Sequence, residues 1–88
     1  MRSFFRPFLQ KKAPEKEEFT YKELNSSLIK SARYDLEANH LYIRFQDGRE
    51  FVYCRVTPYA YNAFLNAESF SAHFHSFINL RYLNYQVM

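Results

Sequence analysis

The chain has 88 residues, the length of one small domain. Ten Phe and eight Tyr against one Gly and three Pro exclude a low-complexity chain, and the 48% of hydrophobic residues is too high for a wholly disordered one. The single cysteine, Cys54, excludes an internal disulfide and favours a reducing, cytoplasmic location. No apolar run approaches the ~20 residues of a membrane span, and Arg6 and Pro7 interrupt the apolar start, so we expect no membrane segment and no signal peptide.

The positive charge is concentrated at the N-terminus. The first twelve residues contain four basic side chains and no acidic one, whereas residues 26–88 contain six basic and five acidic side chains. We therefore divide the chain into a tail or add-on segment, residues 1–25, and a domain, residues 26–88. The apolar tail residues Phe4, Phe5 and Phe8 need a partner, which is this domain, a second copy or another protein.

Three segments predict β-strands. Residues 28–34 are rich in β-branched and aromatic side chains, and residues 40–45 alternate between an apolar and a polar face. Asp47 and Gly48 then indicate a hairpin turn, and residues 50–56 form the third strand. Short strands joined by tight turns predict an antiparallel meander.

Two helices are predicted after the strands. Thr57 and Pro58 are a typical helix start, and Ser69 or Ser71 is expected to cap a second helix. Apolar stripes at helical spacing follow each start: Tyr61, Phe64 and Leu65 in the first helix, and Phe70, Phe74, Phe77, Ile78 and Tyr82 in the second. We therefore predict an α+β fold, in which a three-stranded antiparallel β-meander is followed by two α-helices packed on one face.

An ordered set of residues runs from Ser26 to Tyr82 without a gap: Ser26, Ser27, Ile29, Tyr34, Asp35, Leu41, Tyr42, Ile43, Arg44, Phe45, Gly48, Phe51, Tyr53, Val56, Pro58, Tyr61, Ala63, Leu65, Phe74, Ile78, Arg81 and Tyr82. This set resembles the KTSC domain, a module at the C-terminus of some lysyl-tRNA synthetases that also occurs as small free-standing bacterial proteins. The resemblance implies no established function, and it suggests RNA binding only by association with the synthetase. Phe51 departs from the family pattern, which has Tyr there.

The resemblance also implies a core. The residues expected to build it are Ile29, Tyr34, Leu41, Ile43, Phe45, Phe51, Tyr53, Val56, Tyr61, Phe74, Ile78 and Tyr82.

The leading functional hypothesis is a non-catalytic binding module for RNA. Tyr42 and Arg44 alternate away from the apolar strand face, and a sheet that displays aromatic and basic side chains can hold single-stranded RNA. The candidate nucleic-acid-binding residues are Lys30, Arg33, Tyr42, Arg44, Arg55 and Arg81. The competing interpretation is that these are solvated charges over an ordinary sheet face.

Two alternatives remain open. The first is a protein-interaction or self-association module that uses the aromatic tail, residues 1–25. The second is a small ribonuclease, in which His73, His75, Arg81 and Tyr82 serve as general acid, general base and phosphate clamp.

Other chemistry is not expected. His73 and His75 are two positions apart on a predicted helix and point in different directions, and His40 is distant in sequence, so we expect no metal site. A single glycine excludes a phosphate-cradling glycine loop, and no cofactor is implied. We interpret Cys54 as a small buried apolar residue rather than a nucleophile.

Overall fold

The computed structural model describes residues 21–88. Within this range the chain forms a five-stranded antiparallel sheet in the order β1-β2-β3-β4-β5. The strands are β1 (Lys22–Glu23), β2 (Ile29–Asp35), β3 (His40–Phe45), β4 (Glu50–Tyr53) and β5 (Asn84–Gln86). The α+β class is confirmed, and the count of three strands is wrong, because β1 and β5 add one short strand at each side of the meander.

The turns of the meander use the chemistry that their sequence indicates. Asp35 accepts hydrogen bonds from the backbone N–H groups of Glu37 and Ala38, so it closes the turn between β2 and β3. Gly48 has φ +96° between β3 and β4, a conformation that other residues adopt only with strain. Both turns are therefore specified locally.

Two helical segments connect β4 to β5. Helix α1 (Pro58–Leu65) begins after Thr57, whose side chain accepts a hydrogen bond from the N–H of Ala60, and helix α2 (Phe70–His73) is capped in the same way by Ser69. Helix α2 continues as a π-helical segment, Phe74–Ile78. The N–H of Asn79 donates to the carbonyl of Phe74 over 2.8 Å, which is the spacing of a π-helix.

The helices cover one face of the sheet, and the core lies between the two layers. Phe74 from the π-helical segment packs edge-on against Phe45 and Tyr53 of the sheet, with ring centroids 5.4 and 5.7 Å apart. Most of the residues expected in the core are buried there, and the remaining ones, Phe51, Tyr61 and Tyr82, are partly buried against it. Large aromatic side chains let this small domain bury enough apolar area.

Tyr34 joins the sheet to the helical layer. Its hydroxyl donates to the carbonyl of Val56 over 2.6 Å and lies 3.0 Å from the side-chain oxygen of Asn39. Its ring stacks on the ring of Tyr61 in α1, with centroids 4.6 Å apart. Burial, and secondarily the charge of Asp35, raise the pKa of Tyr34, so the hydroxyl stays protonated and donates.

Replacing Tyr34 by Phe should lower the free energy of unfolding by about 1–3 kcal/mol, because the buried carbonyl of Val56 loses its donor while the ring is retained. Urea unfolding followed by circular dichroism measures the change. Tyr59→Phe is the matched control, since Tyr59 is 86% exposed and should tolerate the same loss of a hydroxyl. Equal midpoints for wild type and both variants would contradict this role for Tyr34.

Candidate functional site

The sheet face opposite the helical segments between Pro58 and Ile78 carries polar and aromatic side chains together with the buried Val52. Residues paired across neighbouring strands lie on the same face. Arg33 pairs with Tyr42, and Ser31 pairs with Arg44, which itself pairs with Glu50. Together with Tyr21, which lies across this face, we call Arg33, Tyr42, Arg44 and Glu50 the outer sheet face.

Cation–π contacts organise the outer sheet face. The guanidinium carbon of Arg33 lies 3.9 Å from the ring centroid of Tyr42, and that of Arg44 lies 3.7 Å from the ring centroid of Tyr21. Arg33 is also 5.4 Å from the Tyr21 ring. Two arginines and two tyrosines thus form one alternating stack of planar groups, in which each guanidinium is held by an aromatic ring.

Glu50 anchors one end of this stack. Its carboxylate accepts a hydrogen bond from the hydroxyl of Tyr21 and lies 3.5 Å from the Nε of Arg44. Glu50 is only 8% exposed, and this burial raises the pKa of its carboxyl group above the usual value. The desolvation of Glu50 therefore outweighs its contact with the half-exposed Arg44.

The six candidate nucleic-acid-binding residues do not share one location. Arg33, Tyr42 and Arg44 come together on the outer sheet face, while Lys30 is exposed at the irregularity in β2. Arg55 is exposed in the bend after β4, and Arg81 lies beside Phe77 in the turn that leads to β5. Half of the predicted set therefore forms a local cluster.

The residues of the ribonuclease hypothesis are divided between two clefts. His73, Arg81 and Tyr82 line a largely apolar cleft of about 370 Å³ between α1 and the segment that follows the π-helix. His75 lines a different cleft, described below. Burial lowers the pKa of His73, which favours its neutral form. The structure thus separates the two histidines that this hypothesis requires together.

The remaining predictions concern Cys54, a metal site, a membrane span and the N-terminal tail. Cys54 is a half-buried free thiol. Residues 21–88 contain no group of three His, Cys, Asp or Glu side chains that could hold a metal ion. In the same range no helix is long and apolar enough to cross a membrane. The aromatic residues Phe4, Phe5 and Phe8 lie outside the described residues, so interaction through the tail stays a prediction.

Sequence reasoning missed two members of the outer sheet face. The position of Glu50 could have been inferred from strand alternation. Glu50 is two residues before Val52 in β4, so both lie on the same face as their partners Arg44 and Tyr42. Nothing in the sequence around Tyr21 indicates its position on this face. It precedes a strand of only two residues, and its place depends on contacts with β2 and β3.

The structure is a small α+β domain, in which the helical segments between Pro58 and Ile78 lie on one side of the sheet and the outer sheet face lies on the other. The family model for the KTSC domain matches residues 25–82, and the chain belongs to this family.

A solved structure resembles this chain over most of the length of both proteins. The crystal structure of a KTSC domain protein from Yersinia pestis aligns with a TM-score of 0.74 and 27% sequence identity, covering 78% of this chain and 97% of that chain. No curated protein matches the chain.

Glu50 gives the outer sheet face a testable pH signature. Because its pKa is raised in the folded state, Glu50 contributes stability that is present below its unfolded pKa of about 4.3 and is lost as pH rises through the folded value. Glu50→Gln stays neutral throughout. The free energy of unfolding of Glu50→Gln should therefore rise relative to wild type between about pH 4 and pH 7.

Urea unfolding at several pH values measures this difference, with the exposed Glu68→Gln as the control. If wild type gains stability relative to Glu50→Gln as pH rises, the ion pair with Arg44 outweighs desolvation, and the assignment is wrong.

Proposed function

We propose that this KTSC domain is a non-catalytic binding module that holds single-stranded RNA on its outer sheet face. The observation that carries the proposal is the guanidinium of Arg33 over the ring of Tyr42, at 3.9 Å, where both side chains are partly exposed on the sheet face opposite α1. Aromatic rings and guanidinium planes are the surfaces on which unstacked RNA bases stack, and arginine also donates hydrogen bonds to phosphate.

The charges of this face favour stacking over electrostatic attraction. Arg44 is paired with Glu50, whereas Arg33 has no carboxylate partner among residues 21–88. With two arginines on the face, the logarithm of affinity should fall with the logarithm of salt concentration by a slope of about −1.4, at about −0.7 for each phosphate neutralised. A stronger dependence would indicate cations elsewhere in the chain.

Arg33→Gln should weaken binding of a labelled oligouridine by about tenfold, because it removes one stacking plane and one phosphate donor. Fluorescence anisotropy of the full chain at several salt concentrations measures the affinity and the slope. Arg55→Gln is the matched control, since it removes the same charge from an exposed position outside the outer sheet face.

Two results would contradict this function. Absence of binding at low salt would exclude RNA as the ligand of this domain. An equal loss of affinity in Arg33→Gln and Arg55→Gln would show that net charge, rather than the Arg33–Tyr42 stack, determines binding.

A further inference from the structure

A cleft of about 260 Å³ opens on the covered side of the sheet, between β4 and the π-helical segment. Its apolar walls include Phe51 from the sheet and Phe74 from the π-helical segment, and its polar lining includes Arg49, Tyr53 and Asn79. The cleft therefore combines aromatic rings with several polar side chains, and both contribute to the binding of small molecules in proteins.

Tyr53 is a buried donor in this cleft. The residue is 2% exposed, and its hydroxyl makes no hydrogen bond to a side chain or carbonyl within residues 21–88. Burial raises the pKa of Tyr53 to about 12, against the opposing influence of the nearby Arg49. The hydroxyl is thus protonated at neutral pH. Buried polar groups are usually satisfied in native proteins, so a buried hydroxyl that lines a cleft and has no partner among residues 21–88 points to a ligand.

Arg49 supplies the positive charge of the cleft. Its Nε donates to the side chain of Asp47 over 2.8 Å, which orients the guanidinium. The guanidinium carbon lies 5.6 Å from the ring of Phe45 and 5.8 Å from the ring of Phe51. Its two terminal nitrogens make no hydrogen bond and no ion pair with residues 21–88. This planar fork is suited to a carboxylate.

The π-helical segment shapes the third wall. Its wider turn joins Phe74 to Asn79, five residues later, and both line the cleft together with His75. Asn84 in β5 lines the opposite side, and its Nδ2 is engaged with the carbonyl of Tyr82 over 2.9 Å. Short π-helical segments occur frequently at functional sites.

We propose that this cleft binds a small aromatic carboxylate, whose carboxylate is held by Arg49 and the Tyr53 hydroxyl and whose ring packs between Phe51 and Phe74. One arginine with one neutral donor suits a monoanion rather than a doubly charged phosphate. The volume is below the ~300–1,000 Å³ of sites for drug-sized ligands, so the ligand is small. The cleft lies on the other side of the sheet from the outer sheet face, and this inference is independent of RNA binding.

Titration of the full chain with benzoate, followed by ¹H–¹⁵N NMR, tests the proposal. Saturable shifts should centre on Arg49, Tyr53, His75 and Asn79. Benzamide, the uncharged match, should bind at least tenfold more weakly. Arg49→Gln should weaken benzoate binding by a similar factor, whereas Arg55→Gln should leave it unchanged.

Tyr53→Phe provides the second variant. It keeps the ring, so it should fold with unchanged or higher stability while benzoate binding falls about threefold to tenfold. Loss of stability in Tyr53→Phe would show that the hydroxyl has a partner in the free protein and would overturn the proposal. Absence of saturable shifts at millimolar benzoate, or equal binding of benzamide, would also overturn it.

Discussion

The hydroxyl of Tyr34 holds the two layers of this domain together. It bonds the carbonyl of Val56, and the N–H of Val56 in turn donates to the carbonyl of Asn39 over 2.9 Å. Asn39 has a positive φ of 59° at the end of the turn between β2 and β3. The turn, the segment that connects β4 to α1 and the start of α1 are therefore fixed at one point. Because α1 begins two residues after Val56, this point determines where the helical layer meets the sheet.

The two sides of the sheet carry side chains of different chemistry. Within residues 21–88 the covered side is built mainly from aromatic and aliphatic side chains, and a cleft with polar lining lies between the π-helical segment, β4 and β5. The uncovered side carries the alternating arginines and tyrosines of the outer sheet face. The sheet thus separates the arginine–tyrosine contacts of the outer sheet face from a small cleft on the other side.

The parts of the fold that depend on local chemistry could be predicted from the sequence. The Asp47–Gly48 turn, the Thr57 cap and the alternation of β3 each have a short-range physical cause. Strands β1 and β5 could not, because two and three residues are too few to show a period and both strands are defined by pairing with β2 and β4. Their absence from the prediction explains the three-strand count.

The candidate sites were harder to predict than the fold, because they depend on contacts between residues that are distant in sequence. The Arg33–Tyr42 contact depends on strand register, and the separation of His73 from His75 depends on where the helix changes from α to π geometry. The spacing of apolar residues in the sequence indicates neither the strand register nor the position of the change from α to π geometry. Membership in the KTSC family accounts for the shape of the domain, which the Yersinia pestis structure shares.

The most direct test of this account is an NMR map of the full chain with unlabelled oligouridine. Amide shifts should cluster in β2 and β3 around Arg33, Tyr42 and Arg44, while those of Asn79 and Asn84 in the cleft remain unchanged. Shifts centred on the cleft or on the helices, with the outer sheet face unaffected, would contradict the assignment of separate roles to the two sides of the sheet.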